Sequence, residues 1–96
     1  MAAYVIGAIS GVTDPAGFTG YQKLAIPTVT KYGGKVIVGG NKIEVADGIW
    51  SPVGVVVLEF PSLQRAKEWY NSPEYKPLVS RRKASSTSGV IFVDGG

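Results

Sequence analysis

Apolar residues gather into short runs that do not alternate with polar ones, beginning with Ala2–Gly11. Tyr4, Ile6 and Ala8 interleave with Val5, Gly7 and Ile9, so neither side of the segment is polar. That composition predicts a strand covered on both faces. Asp14 then supplies an N-cap carboxylate, and Pro15 sits at the favoured first helical position. Phe18, Tyr21, Ala25, Val29 and Tyr32 follow at spacings of three or four and mark one helical stripe, which Gly33-Gly34 ends. Pro27 lies inside that helix. It cannot donate to the Lys23 carbonyl, so a kink or a break into two pieces is expected there.

Lys35–Val45 reads as the second strand, centred on Val36, Ile37 and Val38. Gly39-Gly40-Asn41 interrupts it and predicts a bulge or bend. Asp47-Gly48 makes a turn into the third strand, Val53–Phe60. Ser62 can cap a second helix, with Leu63, Ala66 and either Trp69 or Tyr70 facing inward. Ser72-Pro73 repeats the Asp14-Pro15 signal and predicts a further short helix, with Tyr75, Leu78, Val79 and Arg82 on one side. Gly89–Val93 is the last strand.

The order β-α-β-β-α-β, with an added short helix before the final strand, predicts an α+β, ferredoxin-like arrangement. Two right-handed crossovers give a four-stranded antiparallel sheet with its helices on one face. Residues 1–96 suffice for a single such domain and are too few for two cores. In this arrangement one sheet face lacks helices, yet Val5 with Ile6, Val36 with Ile37, Val57 with Leu58 and Ile91 with Phe92 are apolar on both sides. Burying one such side chain is worth roughly 1.5–3 kcal/mol. A homodimer is therefore expected, its two sheets packed face to face as a dimeric, eight-stranded α-β barrel-like core. Pockets would lie between each sheet and its own helices.

The chain has no cysteine and no histidine, which excludes disulfides, thiolate nucleophiles, imidazole bases and the usual zinc and iron–sulfur sites. Its seven acids do not cluster at loop spacing, so no metal is expected. Gly33-Gly34 and Gly39-Gly40 lack the order of a phosphate-binding loop, and no cofactor is expected either. The net charge is +3, concentrated between Arg65 and Lys83, where six basic residues face two acids. Arg81, Arg82 and Lys83 are read as solvating a helix end, where positive charge meets the negative pole. Nucleic-acid binding is the competing use of that stretch, and no recognition motif supports it. The first apolar run is too short to span a membrane and lacks the organisation of a signal peptide. A cytoplasmic protein with no membrane partner is the expectation, and the lack of cysteine fits a reducing compartment.

Five side chains are candidates for a ligand site: Tyr21, Asn41, Glu59, Trp69 and Tyr75. Glu59 closes an apolar strand in register with Val53, Val55 and Val57. Turned inward it would have a raised pKa and could serve as a general acid or base. At a strand edge it would instead accept a hydrogen bond from Tyr21, Asn41 or a lysine across the sheet. Tyr21 faces the sheet from the first helix, as core or as a polar group in a pocket. Trp69 and Tyr75 can form a rigid aromatic wall for a planar ligand or simply pack, and Asn41 can be aimed at a cavity by a bulge or serve its turn alone.

Ala3-Tyr4-Val5-Ile6, Thr13-Asp14-Pro15 with Phe18-x-x-Tyr21, Tyr32-Gly33-Gly34-Lys35, Val57-Leu58-Glu59-Phe60-Pro61 and Trp69-Tyr70-Asn71-Ser72-Pro73-Glu74-Tyr75 together resemble domain of unknown function 1330. The resemblance covers essentially the whole chain, and Trp69–Tyr75 is its most specific part. It implies the dimeric α+β barrel type of fold and no particular activity. Glycine stands at Gly39 and Gly89, where the family's pattern often has arginine, so an anion site would fall to Lys42, Arg81 or Arg82. Two functions follow from the sequence. One is a small homodimeric protein binding a small organic ligand between sheet and helices. The other is a cofactor-independent oxygenase or isomerase acting on a small aromatic or lactone-like substrate, with Glu59 and Tyr21 as its polar groups.

Overall fold

A computed structural model describes residues 2–95. The strands are β1 (Ala3–Val12), β2 (Lys35–Gly40), β3 (Gly54–Phe60) and β4 (Ser86–Asp94), and the helices are α1 (Pro15–Lys31), α2 (Leu63–Tyr70) and α3 (Val79–Ser85). All neighbouring strands are antiparallel, in the order β2-β3-β1-β4. This is the ferredoxin-like topology.

The sheet does not close into a barrel, which corrects the barrel expected from the sequence. Closure requires the outer strands to meet. Here β3 and β1 separate β2 from β4, and both outer strands remain edges of an open sheet. The edge strand β2, six residues long and paired along β3, also leaves little pairing to carry a closed cylinder.

Local signals at the helix starts act as the sequence suggests. The Asp14 carboxylate accepts from the Gly17 N–H at 3.1 Å, with Pro15 next to it at the start of α1. Ser62 accepts from the Arg65 N–H at 3.1 Å at the start of α2. Gly33, at φ +81°, supplies the left-handed turn after α1 that a Cβ would disfavour. Gly34 is needed for space: a Cβ there would lie 2.7 Å from the Phe60 ring and 2.8 Å from Val29 Cγ1. Pro27 does not split α1, which runs unbroken from Pro15 to Lys31.

Three boundaries differ from expectation. The second strand ends at Gly40, and residues 41–53 form a long exposed connection rather than strand and tight turn. The irregularity in β2 falls between Val36 and Val38, not at Gly39-Gly40-Asn41. Ser72-Pro73 opens a single turn, in which Ser72 Oγ accepts from the Tyr75 N–H at 3.1 Å. A 3-10 turn (Lys76–Leu78) and α3 follow only afterwards.

The core lies between helices and sheet: Val5, Leu58 and Phe60 from the strands meet Ala25 and Val29 of α1, Ala66 and Trp69 of α2, and Tyr75. On the opposite face the register lines up Val38, Val57, Ile6 and Ile91 as one apolar row across all four strands. Ile91 and Val38 are half exposed there, at 57% and 50%.

Candidate functional site

α1 packs along α3, and a space lies between α1 and the sheet. The result is a cavity of about 260 Å³ bounded by all four strands, α1, Trp69, Tyr75 and Arg82. Val5, Ile9, Val56, Leu58 and Val90 form its floor, and Phe18, Tyr21, Gln22, Ala25 and Val29 its roof. Ile26 and Val36 stand at the exposed rim. Gly7 belongs to the helix-facing series of β1, and a Cβ built there would meet nothing within 4 Å. The missing side chain is part of the space.

Trp69 and Tyr75 are fixed by their neighbours. Their rings lie 4.2 Å apart between centroids, and Trp69 also packs on Phe60 at 5.4 Å. The indole N–H donates to Thr28 Oγ1 at 2.9 Å, and the Thr28 hydroxyl donates to the Ala25 carbonyl at 2.6 Å. Ser72 Oγ donates to the Trp69 carbonyl at 2.7 Å while accepting from the Tyr75 N–H. Glu74 reaches the end of α1, accepting from the Tyr32 hydroxyl at 2.8 Å and from the Lys31 ammonium. Those partners, Lys31 first, lower its pKa to about 2. The segment Trp69–Tyr75 is thus a cross-linked wall of the cavity.

At one end of the cavity stand three polar side chains. The Tyr21 and Tyr75 hydroxyls are 2.7 Å apart, and Arg82 Nη1 donates to the Tyr75 oxygen at 3.2 Å. Burial, reinforced by Tyr75, pushes the Tyr21 phenol far above its ordinary pKa, so it stays protonated at neutral pH. Arg82 is 6% exposed, no ion pair joins it to an acid among the described residues, and its Nε has no hydrogen-bond partner.

Of the sequence candidates, Tyr21, Trp69 and Tyr75 line the cavity together. Asn41 lies on the exposed connection after β2 and takes no part in the lining. Glu59 occupies the opposite face of the sheet. It accepts from the Tyr4 hydroxyl at 3.3 Å and lies 3.6 Å from the Lys35 ammonium, its cross-strand neighbour. Arg82 is the residue that sequence reasoning misplaced: it is buried in the cavity wall rather than solvating a helix end. The available signal was its spacing, one heptad beyond Tyr75 on the same side as Leu78 and Val79. Elsewhere in the basic stretch, Arg65 pairs with Glu68 at 3.1 Å and stacks over Tyr32, and Lys76 lies over Tyr70. Among the described residues no cluster of acids could hold a metal, and no helix is long and apolar enough to cross a membrane.

A family model described as "Domain of unknown function (DUF1330)" matches residues 2–96. The chain belongs to the DUF1330 family. No curated protein matches this DUF1330 chain. Its fold recurs in RPA0582, a protein of unknown function from Rhodopseudomonas palustris, with TM-score 0.81 and 19% identity over 99% of this chain and 82% of that one. SnoaB from Streptomyces nogalater, a cofactor-independent oxygenase, matches with TM-score 0.71 and 13% identity over 99% of this chain and 93% of its own. A dimeric ferredoxin-like protein of unknown function from Thermobifida fusca gives TM-score 0.69 and 10% identity over 98% and 91%. At these identities the likeness is one of fold.

Proposed function

We propose that this DUF1330 protein binds a small, largely apolar organic molecule between α1 and the sheet, as a homodimer joined through the open sheet face. The cavity carries the first part. It is walled by rigid aromatic and aliphatic side chains with a few convergent polar groups, the usual build of a small-molecule site. Its volume, about 260 Å³, suits a mono- or bicyclic molecule, since drug-sized ligands occupy about 300–1,000 Å³. The row Val38, Val57, Ile6 and Ile91 supports the second part, because a continuous apolar row across a sheet is a contact surface. Related ferredoxin-like folds are described as dimeric.

Cofactor-independent oxygenation or isomerisation of a small aromatic or lactone-like substrate is the alternative, favoured by the protonated Tyr21 hydroxyl inside an apolar enclosure. Its weakness is the carboxylate: Glu59 sits across the sheet, and among the described residues no Asp or Glu lines the cavity. Binding without chemistry is therefore the preferred function.

Titration of labelled protein with 2-methylnaphthalene, followed by amide NMR, tests the binding site. Shifts are expected at Gly7, Val56 and Tyr75, and Gly7→Val should abolish them by filling the floor while the chain stays folded. Binding that persists in Gly7→Val, or shifts confined to the open face, would refute the site. Sedimentation tests the dimer: Ile91→Lys should convert a dimer to a monomer, and a wild-type monomer at micromolar concentration would refute it.

A further inference from the structure

We infer that the ligand of this cavity is an organic monoanion, a planar apolar body ending in a carboxylate, whose charged end is held by Arg82 with help from the Tyr21–Tyr75 pair. This rests on the cavity being a binding site, as proposed above. Arg82 is 6% exposed and lines the cavity, and its guanidinium Nη1 donates to the Tyr75 phenol oxygen at 3.2 Å. Burial disfavours its charge, but the neighbouring tyrosine oxygens, Tyr75 foremost, more than offset this, and Arg82 stays cationic. A buried cation normally has an anion beside it, because desolvation without compensation is expensive. Among the described residues no acid forms an ion pair with it: the carboxylates of Glu59, Glu68 and Glu74 are engaged with Tyr4 and Lys35, with Arg65, and with Tyr32 and Lys31.

Donor arithmetic points the same way. Tyr21 and Tyr75 bring two hydroxyl hydrogens, and their mutual hydrogen bond uses one. Whichever tyrosine donates, the other keeps a hydroxyl hydrogen that no further hydrogen bond takes up among the described residues. Arg82 Nε–H is likewise without an acceptor. A guanidinium in the cavity wall beside a spare phenol donor suits an acceptor-only group, and an ionised carboxylate is the planar, two-oxygen match. The remaining lining, Val5, Ile9, Phe18, Val56 and Trp69 among it, accepts the apolar body. A hydrocarbon would leave both donors unmet, and a neutral carbonyl would accept from them without balancing the buried charge.

The test compares two probes of similar shape, 2-naphthoate and neutral 2-methylnaphthalene, by calorimetry and amide NMR at neutral pH. Wild-type protein should bind the anion at least about tenfold more tightly, the effect of one charge-assisted hydrogen bond. Arg82→Met should remove that preference while leaving the neutral probe within about twofold, the change expected when only a hydrogen bond to the anion is lost. Arg81→Met, altering an exposed neighbour, should keep it. Tyr21→Phe should weaken the anion alone. Arg82→Met should also match or exceed the wild type in thermal stability, since a cation without an acid partner adds little to the fold. If Arg82→Met fails to fold, Arg82→Lys takes its place and should retain part of the preference. Equal binding of both probes by the wild type would overturn the monoanion and leave the cavity site standing. Binding of neither would overturn the site itself. An anion preference that survives Arg82→Met would assign the charge contact elsewhere and refute the role of Arg82.

Discussion

Thr28→Val removes the hydroxyl that ties the Trp69 indole of the aromatic wall to α1. Thr28 follows Pro27 in α1, and its single hydroxyl accepts from the Trp69 indole at 2.9 Å and donates to the Ala25 carbonyl at 2.6 Å. Valine keeps the shape of threonine and has similar helix propensity, so the backbone should tolerate it. What changes is the indole N–H: Trp69 is 3% exposed, and its donor would be stranded away from water. A buried donor left without an acceptor costs about 1–3 kcal/mol. For a chain of this length each kcal/mol lowers Tm by about 4–8 °C. Urea unfolding of Thr28→Val, Trp69→Phe and the double variant measures the coupling. In the Trp69→Phe background no donor remains, so Thr28→Val should cost much less there, giving a coupling of about 1 kcal/mol or more. Equal costs in both backgrounds would refute this account of how Trp69 is held.

Gly34→Ala should destabilise by about 1–3 kcal/mol through overpacking, because the new Cβ would sit 2.7 Å from the buried Phe60 ring; equilibrium unfolding reads it. Glu74 has a folded pKa lowered to about 2 from an ordinary 4.5, so its contribution is present above pH 4.5 and is lost as pH falls towards 2. Glu74→Gln should flatten that part of the stability–pH curve, measured by Tm between pH 5 and pH 2, and an unchanged slope would count against the Lys31–Glu74–Tyr32 cluster. Glu59→Gln should leave both ligand binding and Tm nearly unchanged, because an exposed ion pair is worth about 0–1 kcal/mol and Glu59 lies outside the cavity.

The element order and the helix caps were legible because each rests on short-range chemistry. Asp14-Pro15 and Ser62 fix helix starts within three residues, whatever the rest of the chain does. The second strand was overextended because Lys42–Val45 has apolar residues but finds no partner strand, and a strand exists only where it pairs. Pro27 failed to break α1 because a helix packed against α3 retains its course through one missing bond. The barrel was inferred from apolar faces alone, which specify that a surface avoids water and say nothing about whether strand edges meet.

Glu59 was left between two placements, and Arg82 was misplaced, for opposite reasons. A strand normally announces its inner face by alternation, but β3 is apolar on both faces, so parity gave Glu59 no side. The deciding contact is Phe60, buried against Trp69 beneath the helices, which turns Glu59 to the opposite face with Tyr4. In α3 the parity was available, and charge overruled it: three consecutive basic residues suggested a solvated end. Helical geometry lets Arg81 and Lys83 do that while Arg82, about 100° around the axis, follows Tyr75 and Leu78 inward. A cation carried into an apolar interior by the helix repeat, with no acid paired to it among the described residues, is a cost to folding that the proposed ligand would offset. The same absence of alternation that hid Glu59 gives the sheet two water-avoiding faces. One holds a cavity beneath α1, and the other stays uncovered within a single chain.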